Sequence, residues 1–317
     1  MMALESIKTI ANIGAGTMGH ATALQFALKG YSVNLLDTSV DVLQEGIARM
    51  REDLSSYVKV GLVKAEEVDG IIANIHPTVS YEEGLEEADF VIESIVENLA
   101  VKKEVWQKVE KLVGPETILA TNTSGLSPTK IAKFLEKPER FLVAHFYNPA
   151  HLMPLVEVVP AEKTNSAVVQ TTVDLMNHIG KHAVALQKEA PGFVGNRIQA
   201  AVIRECLSIM QQGIATPETI DDIVKYSLGL RWSILGPVMS ADLGGLDVFN
   251  TIITYLTTEI SNEVGENALL VQKVKEGHFG QKSGQGFYDW QGEKGQELID
   301  YRNQKLLAAL VDEKKDK

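Results

Sequence analysis

A chain of 317 residues, 45% of them hydrophobic, has enough apolar surface for one large or two ordinary domains with sizeable cores. Its 42 acidic and 30 basic residues give a formal net charge of -12, which excludes general attraction to nucleic acid or an anionic membrane. A single cysteine, Cys206, excludes an internal disulfide framework and a cysteine-built metal cluster.

The start, Met1-Met2-Ala3-Leu4-Glu5-Ser6, has no basic segment leading into an apolar core, so no secretory leader is expected. No stretch approaches the roughly 18 uninterrupted apolar residues of a membrane helix. A cytoplasmic globular protein is the expectation.

Residues 8 to 37 read as strand, tight turn, helix and strand, which is one βαβ unit. Leu43, Ile47, Met50, Leu54 and Tyr57 then recur every three or four residues, so one helix face is apolar, and Gly61 ends it. A second short helix from about Ala65 completes a helical hairpin over 40–73, expected to stand off the sheet. Further strands are predicted at Phe90–Glu93, Ile118–Thr121, Phe141–Ala144 and Leu155–Val159, with helical patterns between most of them. Alternating strands and helices imply a mainly parallel sheet covered on both faces. After Ala190-Pro191-Gly192 the pattern becomes helical, including a helix with Thr216 as N-cap and Pro217 in its first turn. The fold class is therefore α/β, an N-terminal doubly wound sheet over 1–188 followed by an all-α domain over 189–317, with Asp312 to Lys317 as a solvated end.

Gly14-Ala15-Gly16-Thr17-Met18-Gly19 follows a strand, opens a helix and precedes an acid, Asp37, at the end of the next strand. That context points to a dinucleotide. Gly14 permits the sharp turn, Gly16 lets the backbone approach a pyrophosphate, and Gly19 allows close helix packing. Asp37 would accept hydrogen bonds from the adenosine ribose and repel a 2'-phosphate, so NAD is expected rather than NADP. A glycine-rich turn without a ligand fits the same residues.

Glu157 stands in the apolar run Leu155-Val156-Glu157-Val158-Val159, where a carboxylate loses hydration and needs a partner. His145, twelve residues earlier, is the candidate. Hydride transfer from a secondary alcohol needs a group to take and return the hydroxyl proton, and a histidine held by a carboxylate does both near neutral pH. A purely structural His–Glu pair fits the same spacing. The other histidines, His20, His76, His178 and His182, read as structural, and none forms a metal cluster. His151 and His278 stay open, His151 because its place between the two candidates would suit a substrate cleft.

Those motifs, with Val96-Glu97-Asn98-Leu99 and Lys102, Asn122-Thr123-Ser124, His145-Phe146-Tyr147-Asn148-Pro149, Pro191 to Arg197 and Lys282 to Tyr288, resemble in order the 3-hydroxyacyl-CoA dehydrogenase family over nearly the whole chain. The resemblance implies a Rossmann-type NAD domain with His145 as general acid/base and Glu157 as its orienting partner. Ser124 and Asn196 would hydrogen-bond substrate oxygens, and Asn148 would set the geometry of substrate and nicotinamide. Glu97, Lys102 and Asn122 would lie along the cofactor with Gly14, Gly16, Thr17, Met18, Gly19 and Asp37. Taken alone, Asn122-Thr123-Ser124 could be an ordinary turn, Asn196 a helix-start residue and Lys102 a solvated charge. The implied assembly is a homodimer through the C-terminal domain.

The implied substrate is a 3-hydroxyacyl-CoA thioester, as in fatty acid metabolism. Relatives of this family also act on gulonate, carnitine or a pyridine carboxylate without CoA, and one serves as a lens crystallin. Three departures point toward the non-CoA relatives. Met153-Pro154-Leu155 has proline where acyl-CoA enzymes usually carry lysine, and Arg231 to Pro237 replaces a shorter turn. The hairpin from Asp41 to Ile72 holds seven acids and four bases, a poor match for CoA phosphates. Against this, His145-Phe146-Tyr147-Asn148 is closer to the CoA enzymes, and the CoA thioester ranks first by a small margin.

Overall fold

The computed structural model describes residues 3–315, so Met1 and Met2 of the leader reading and Asp316 and Lys317 of the tail lie outside the described residues. The chain divides into two compact units, one of Met1–Val194 with Tyr301–Lys317, the other of Gly195–Asp300.

The first unit is built on an eight-stranded sheet of order β3-β2-β1-β4-β5-β6-β7-β8. Its strands are β1 (Thr9–Ile13), β2 (Ser32–Leu36), β3 (Ile75–Thr78), β4 (Phe90–Glu93), β5 (Ile118–Thr121), β6 (Phe141–Phe146), β7 (Leu155–Pro160) and β8 (His182–Ala185). All neighbours pair in parallel except β6 and β7. The first six strands follow the doubly wound 3-2-1-4-5-6 order, in which ligands bind beyond the carboxyl ends of the strands where the order reverses. Strands β4, β5 and β6 are buried along their whole length, as expected of a sheet covered on both faces.

The helices of this unit are α1 (Gly19–Ala27), α2 (Val40–Lys59), α3 (Val68–Ala73), α4 (Tyr81–Leu85), α5 (Leu99–Leu112), α6 (Pro128–Ala132) and α7 (Ser166–His178). The apolar face of α2 is as the periodicity predicts, with Leu43, Met50, Leu54 and Tyr57 buried, and Gly61 follows its end at φ +74°. One expectation is corrected. The hairpin does not stand off the sheet, because those four side chains share one buried cluster with Phe26 of α1 and Val33 and Leu35 of β2.

Two strands escaped the sequence reading. β3 carries Pro77, which removes a ladder donor and is tolerated because this strand lies at the sheet edge. β8 is the other edge strand, short and mostly exposed, so it lacks the apolar run that marks a buried strand.

The second unit is helical, with α8 (Gly195–Gln211), α9 (Pro217–Ile223), α10 (Gly229–Gly244), α11 (Leu246–Leu256), α12 (Ala268–Lys275) and the start of α13 (Gly292–Lys315). Thr216 caps α9, its hydroxyl accepting the Thr219 amide at 3.4 Å. Arg231 to Leu235 continue the first part of α10, and the segment turns at Gly236, φ +72°, before Pro237, so that α10 is two helices joined by a kink. The end is not frayed as far as Lys315, since α13 runs helical to that residue, and Asp312 is exposed. Leu307 of α13 is buried in the first unit's core cluster. No helix among the described residues is long and apolar enough to cross a membrane.

Candidate active site

The cofactor end is shaped by backbone crowding. A Cβ on Gly14 would lie 2.6 Å from the Ser94 carbonyl oxygen, and one on Gly19 only 1.8 Å from the Gly14 oxygen. Gly14 also sits at φ +99°, a conformation that side chains disfavour. A Cβ on Gly16 would meet nothing within 4 Å. Gly14 and Gly19 thus serve the turn itself, while Gly16 borders open space that a ligand can enter. That space is a cavity of about 360 Å³ lined by Gly14, Gly16, Asp37, Tyr81, Ile95 and Val96 among others.

Asp37 Oδ2 accepts the Ala15 amide at 2.8 Å and Oδ1 the Thr38 amide at 2.7 Å, so the acid at the end of β2 braces the glycine turn and faces the cavity. Thr17 is exposed and Met18 half-buried against the core. This arrangement fits NAD: Asp37 would hold the ribose, and the turn and the start of α1 would hold the pyrophosphate.

Glu97, Lys102 and Asn122 form the wall beside it. Glu97 Oε1 accepts the Ser124 amide at 3.0 Å, the Gly125 amide at 3.2 Å and the Thr123 hydroxyl. Lys102, expected along the cofactor, is instead 1% exposed, and its Nζ donates to Glu93 Oε1 at 2.6 Å and lies 3.6 Å from Glu97 Oε2. It supports the wall from inside. Asn122 is equally committed, Oδ1 accepting the Phe146 amide at 2.8 Å and Nδ2 donating to Ser94 Oγ at 3.1 Å, which ties β4 and β6 to the end of β5.

The chemical end rests on the one antiparallel step of the sheet. Because β6 and β7 run opposite ways, His145 and Glu157 are directly paired in register, and their side chains stand on the same face. His145 Nδ1 lies 3.0 Å from Glu157 Oε2, with the two residues 5% and 2% exposed. Glu157 Oε1 accepts the Val194 amide at 3.1 Å, and its Oε2 also accepts the Tyr147 hydroxyl at 3.0 Å. The His145 ring packs on Tyr147 and Phe193, with centroids 4.7 and 5.6 Å away. Burial and the neighbouring Glu157 carboxylate push the Tyr147 phenol well above its usual range.

A carboxylate can only accept, so His145 carries its proton on Nδ1 and presents Nε2 as an acceptor. Such a ring takes a proton at Nε2 and becomes an imidazolium that Glu157 stabilises. Ser124 and Asn148 are exposed beyond the ends of β5 and β6. Asn196 lies in the second unit, in the first turn of α8.

Two residues of this site were missed. Tyr147 sits inside the quoted histidine motif, but only the β6–β7 register shows that its hydroxyl reaches Glu157. Glu93 carries the same signal as Glu157, an acid inside an apolar strand. It is fully buried, where Lys102 Nζ, the Thr121 hydroxyl at 2.8 Å and the Ile95 amide at 2.8 Å satisfy it. Among the described residues no group of three or more histidine, cysteine or acidic side chains could hold a metal ion.

Comparison with known proteins identifies the family. The model of the 3-hydroxyacyl-CoA dehydrogenase NAD binding domain matches residues 9–190, and that of the C-terminal domain of the same family matches residues 192–290. The chain is 34% identical over 304 residues to the 5-formyl-3-hydroxy-2-methylpyridine 4-carboxylate 5-dehydrogenase of Mesorhizobium japonicum, covering 95% of this chain and 97% of that one. A solved structure of a dehydrogenase of that name, described as an NAD+ dependent dismutase, superposes with a TM-score of 0.89 at 31% identity, covering 96% and 97% of the two chains. The (S)-3-hydroxybutyryl-CoA dehydrogenase of Ralstonia eutropha superposes with a TM-score of 0.75 at 33% identity, covering 90% of this chain and all of the other.

Proposed function

Because the chain belongs to the 3-hydroxyacyl-CoA dehydrogenase family, we propose that its NAD-dependent reaction is reversible oxidation of a carbon-bound hydroxyl, with His145 as acid/base. The observation that carries this is the buried pair of His145 Nδ1 and Glu157 Oε2 at 3.0 Å. NAD, when bound, accepts or returns the hydride at its nicotinamide ring. His145 Nε2 takes the hydroxyl proton in oxidation and gives it back to the carbonyl oxygen in reduction. Glu157 holds the ring orientation and offsets the charge that forms on it. Ser124 and Asn196 hydrogen-bond the substrate oxygens, and Asn148 orients substrate and nicotinamide.

The substrate we favour is a small hydroxy acid, or its aldehyde or oxo form, without CoA. The hairpin supports this more strongly in three dimensions than in sequence. Arg51 is engaged by Asp69 at 2.9 Å and Arg49 by Glu45 at 3.4 Å, so two of its four cations are paired within a net acidic element. Exposed pairs of this kind contribute little stability, yet they reduce the positive field an anionic CoA tail needs. Pro154 and the similarity to a pyridine carboxylate dehydrogenase point the same way.

A 3-hydroxyacyl-CoA substrate is the second reading, favoured by the His145-Phe146-Tyr147-Asn148 motif and by the Ralstonia enzyme. In both readings the protein is a homodimer through its second unit, where Val238, Leu243 and Ile234 are each at least three-quarters exposed, a surface that association would cover.

The deciding experiment is initial-rate NADH oxidation with acetoacetyl-CoA beside free acetoacetate and a panel of oxo acids and aldehydes, including formylpyridine carboxylates. Turnover on the panel without the thioester supports the favoured reading. Fast turnover with the thioester alone overturns it in favour of CoA, and NADH binding without turnover on anything places the protein with non-catalytic NAD binders.

A further inference from the structure

Strand β1 lies between β2 and β4, and a polar side chain stands inside it. Asn12 is fully buried. It pairs in register with Leu35 of β2 and Ile92 of β4, two residues of the apolar cluster on that face of the sheet. Its Oδ1 is buried without a hydrogen-bond partner, and an unsatisfied acceptor in such a place is destabilising. A leucine has the same branched outline and would carry no such cost. What the amide gains is its bond to the glycine turn, Nδ2 donating to the Gly14 carbonyl oxygen at 2.8 Å. A carbonyl oxygen only accepts, so this contact also fixes which way the amide faces.

The peptide between Gly14 and Ala15 is held at both ends. Asn12 binds its oxygen, and its N–H, on Ala15, donates to Asp37 Oδ2 at 2.8 Å. In a trans peptide these two groups point in opposite directions, so fixing one sets the aim of the other. The tether matters at this place, because Gly14 has no Cβ to limit rotation of the peptide that follows it. Gly19 leaves room for it, since a Cβ there would lie 3.2 Å from Asn12 Nδ2. The other bonds of Asp37, from the amide and hydroxyl of Thr38 to Oδ1, come from its own chain neighbour and do not tie it to the turn.

We propose that Asn12 is a positioning residue for cofactor choice: through the Gly14–Ala15 peptide it holds the Asp37 carboxylate where that group meets the adenosine ribose and repels a 2'-phosphate. The inference rests on the reading of Asp37 as the ribose acid. Asp37 Oδ2 has lone pairs for a ribose hydroxyl beside the Ala15 amide, whereas a phosphate brought to the same place meets like charge at close range. Without the Asn12 donor the peptide plane is free to tilt. The carboxylate then loses its fixed aim, holds the ribose less well and rejects the phosphate less strongly.

The test is the dissociation constants of NADH and NADPH, measured by fluorescence on the full chain for the wild type, Asn12→Leu, Asp37→Ala and the double variant, beside the Tm of each without cofactor. Asn12→Leu is expected to weaken NADH binding about three- to tenfold, the scale of one hydrogen bond, and to leave NADPH binding no weaker, so discrimination falls by at least that factor. In the Asp37→Ala background the same substitution is expected to change NADH affinity by less than about twofold, because the path from Asn12 ends at that carboxylate.

An equal loss for both nucleotides, or the same loss of NADH affinity with and without Asp37, is the mark of a merely structural role and overturns the proposal. So does an Asn12→Leu protein with wild-type affinities while Asp37→Ala loses discrimination, which leaves the reading of Asp37 standing. Wild-type affinities in Asp37→Ala remove that reading and the proposal with it. If Asn12→Leu does not fold, Asn12→Val, which suits a central strand, takes its place with the same outcomes.

Discussion

Tyr147 and His145 donate to the same oxygen of Glu157, each at 3.0 Å. A carboxylate shared between two donors stabilises an imidazolium less than one devoted to the ring. Tyr147 therefore competes with His145 for the oxygen that holds the ring.

Removing that hydroxyl with Tyr147→Phe leaves the ring packing in place and devotes Oε2 to His145. With Oε2 devoted to the ring, kcat/KM for alcohol oxidation at a fixed pH is expected to rise by about two- to tenfold, given about 1.4 kcal/mol per tenfold change. NADH affinity stays the same. An unchanged rate would show that the phenol does not weaken the His145–Glu157 pair.

His145→Gln and Glu157→Gln separate chemistry from binding. General acid/base catalysis contributes roughly 10²- to 10⁴-fold, so His145→Gln should lose at least about 100-fold in kcat. Glu157→Gln should lose less, because an amide oxygen can still accept from Nδ1 but does not offset the charge on it. NADH binding should change less than about twofold in either, measured by fluorescence titration, and normal turnover in His145→Gln would remove its assigned role.

Two glycines of one motif should fail in different ways. At Gly19 a methyl group meets the Gly14 carbonyl at 1.8 Å, and backbone cannot yield cheaply. Gly19→Ala is expected to destabilise the fold by about 3 kcal/mol or more, the range of severe steric faults, seen as a lower Tm. Gly16→Ala has open space around it and should leave Tm nearly unchanged while weakening NADH binding about tenfold or more, because the added methyl group stands where the pyrophosphate approaches.

His151 gives the fold an acid-sensitive element. Burial lowers its pKa below the usual histidine value of about 6.5, so between the two values the unfolded chain binds more protons than the folded one. Stability from this residue is present above about pH 6.5 and is lost as pH falls through the folded value. Thermal melts from pH 8 to pH 5 should show a smaller acid loss in His151→Asn than in the wild type. Equal losses would mean that other groups carry it.

Lys102 and Glu93 form a buried pair at 2.6 Å. Lys102→Met fills the space but leaves Glu93 without its cation, and breaking such a pair costs about 3–5 kcal/mol. A denaturant midpoint unchanged from the wild type would show that Thr121 and the Ile95 amide satisfy Glu93 by themselves.

Much of this protein is decided locally and can be read along the chain. The βαβ unit from Thr9 to Leu36, the glycine turn and Asp37 are fixed by short-range sterics and by hydrophobic periodicity. The acid within Leu155 to Val159 announces a buried partner because an unpaired carboxylate there is too costly. His145 is readable as that partner from its motif, whereas the edge strands β3 and β8 and the reach of Tyr147 to Glu157 depend on register between strands. Sequence spacing does not encode that register. The burial of Lys102 on Glu93 and the bridge from Asn12 to Asp37 were equally hidden, since each joins separate elements through packing. Local conformation follows from local chemistry, whereas which polar groups share a buried site is settled only when the chain's elements close on one another and exclude water.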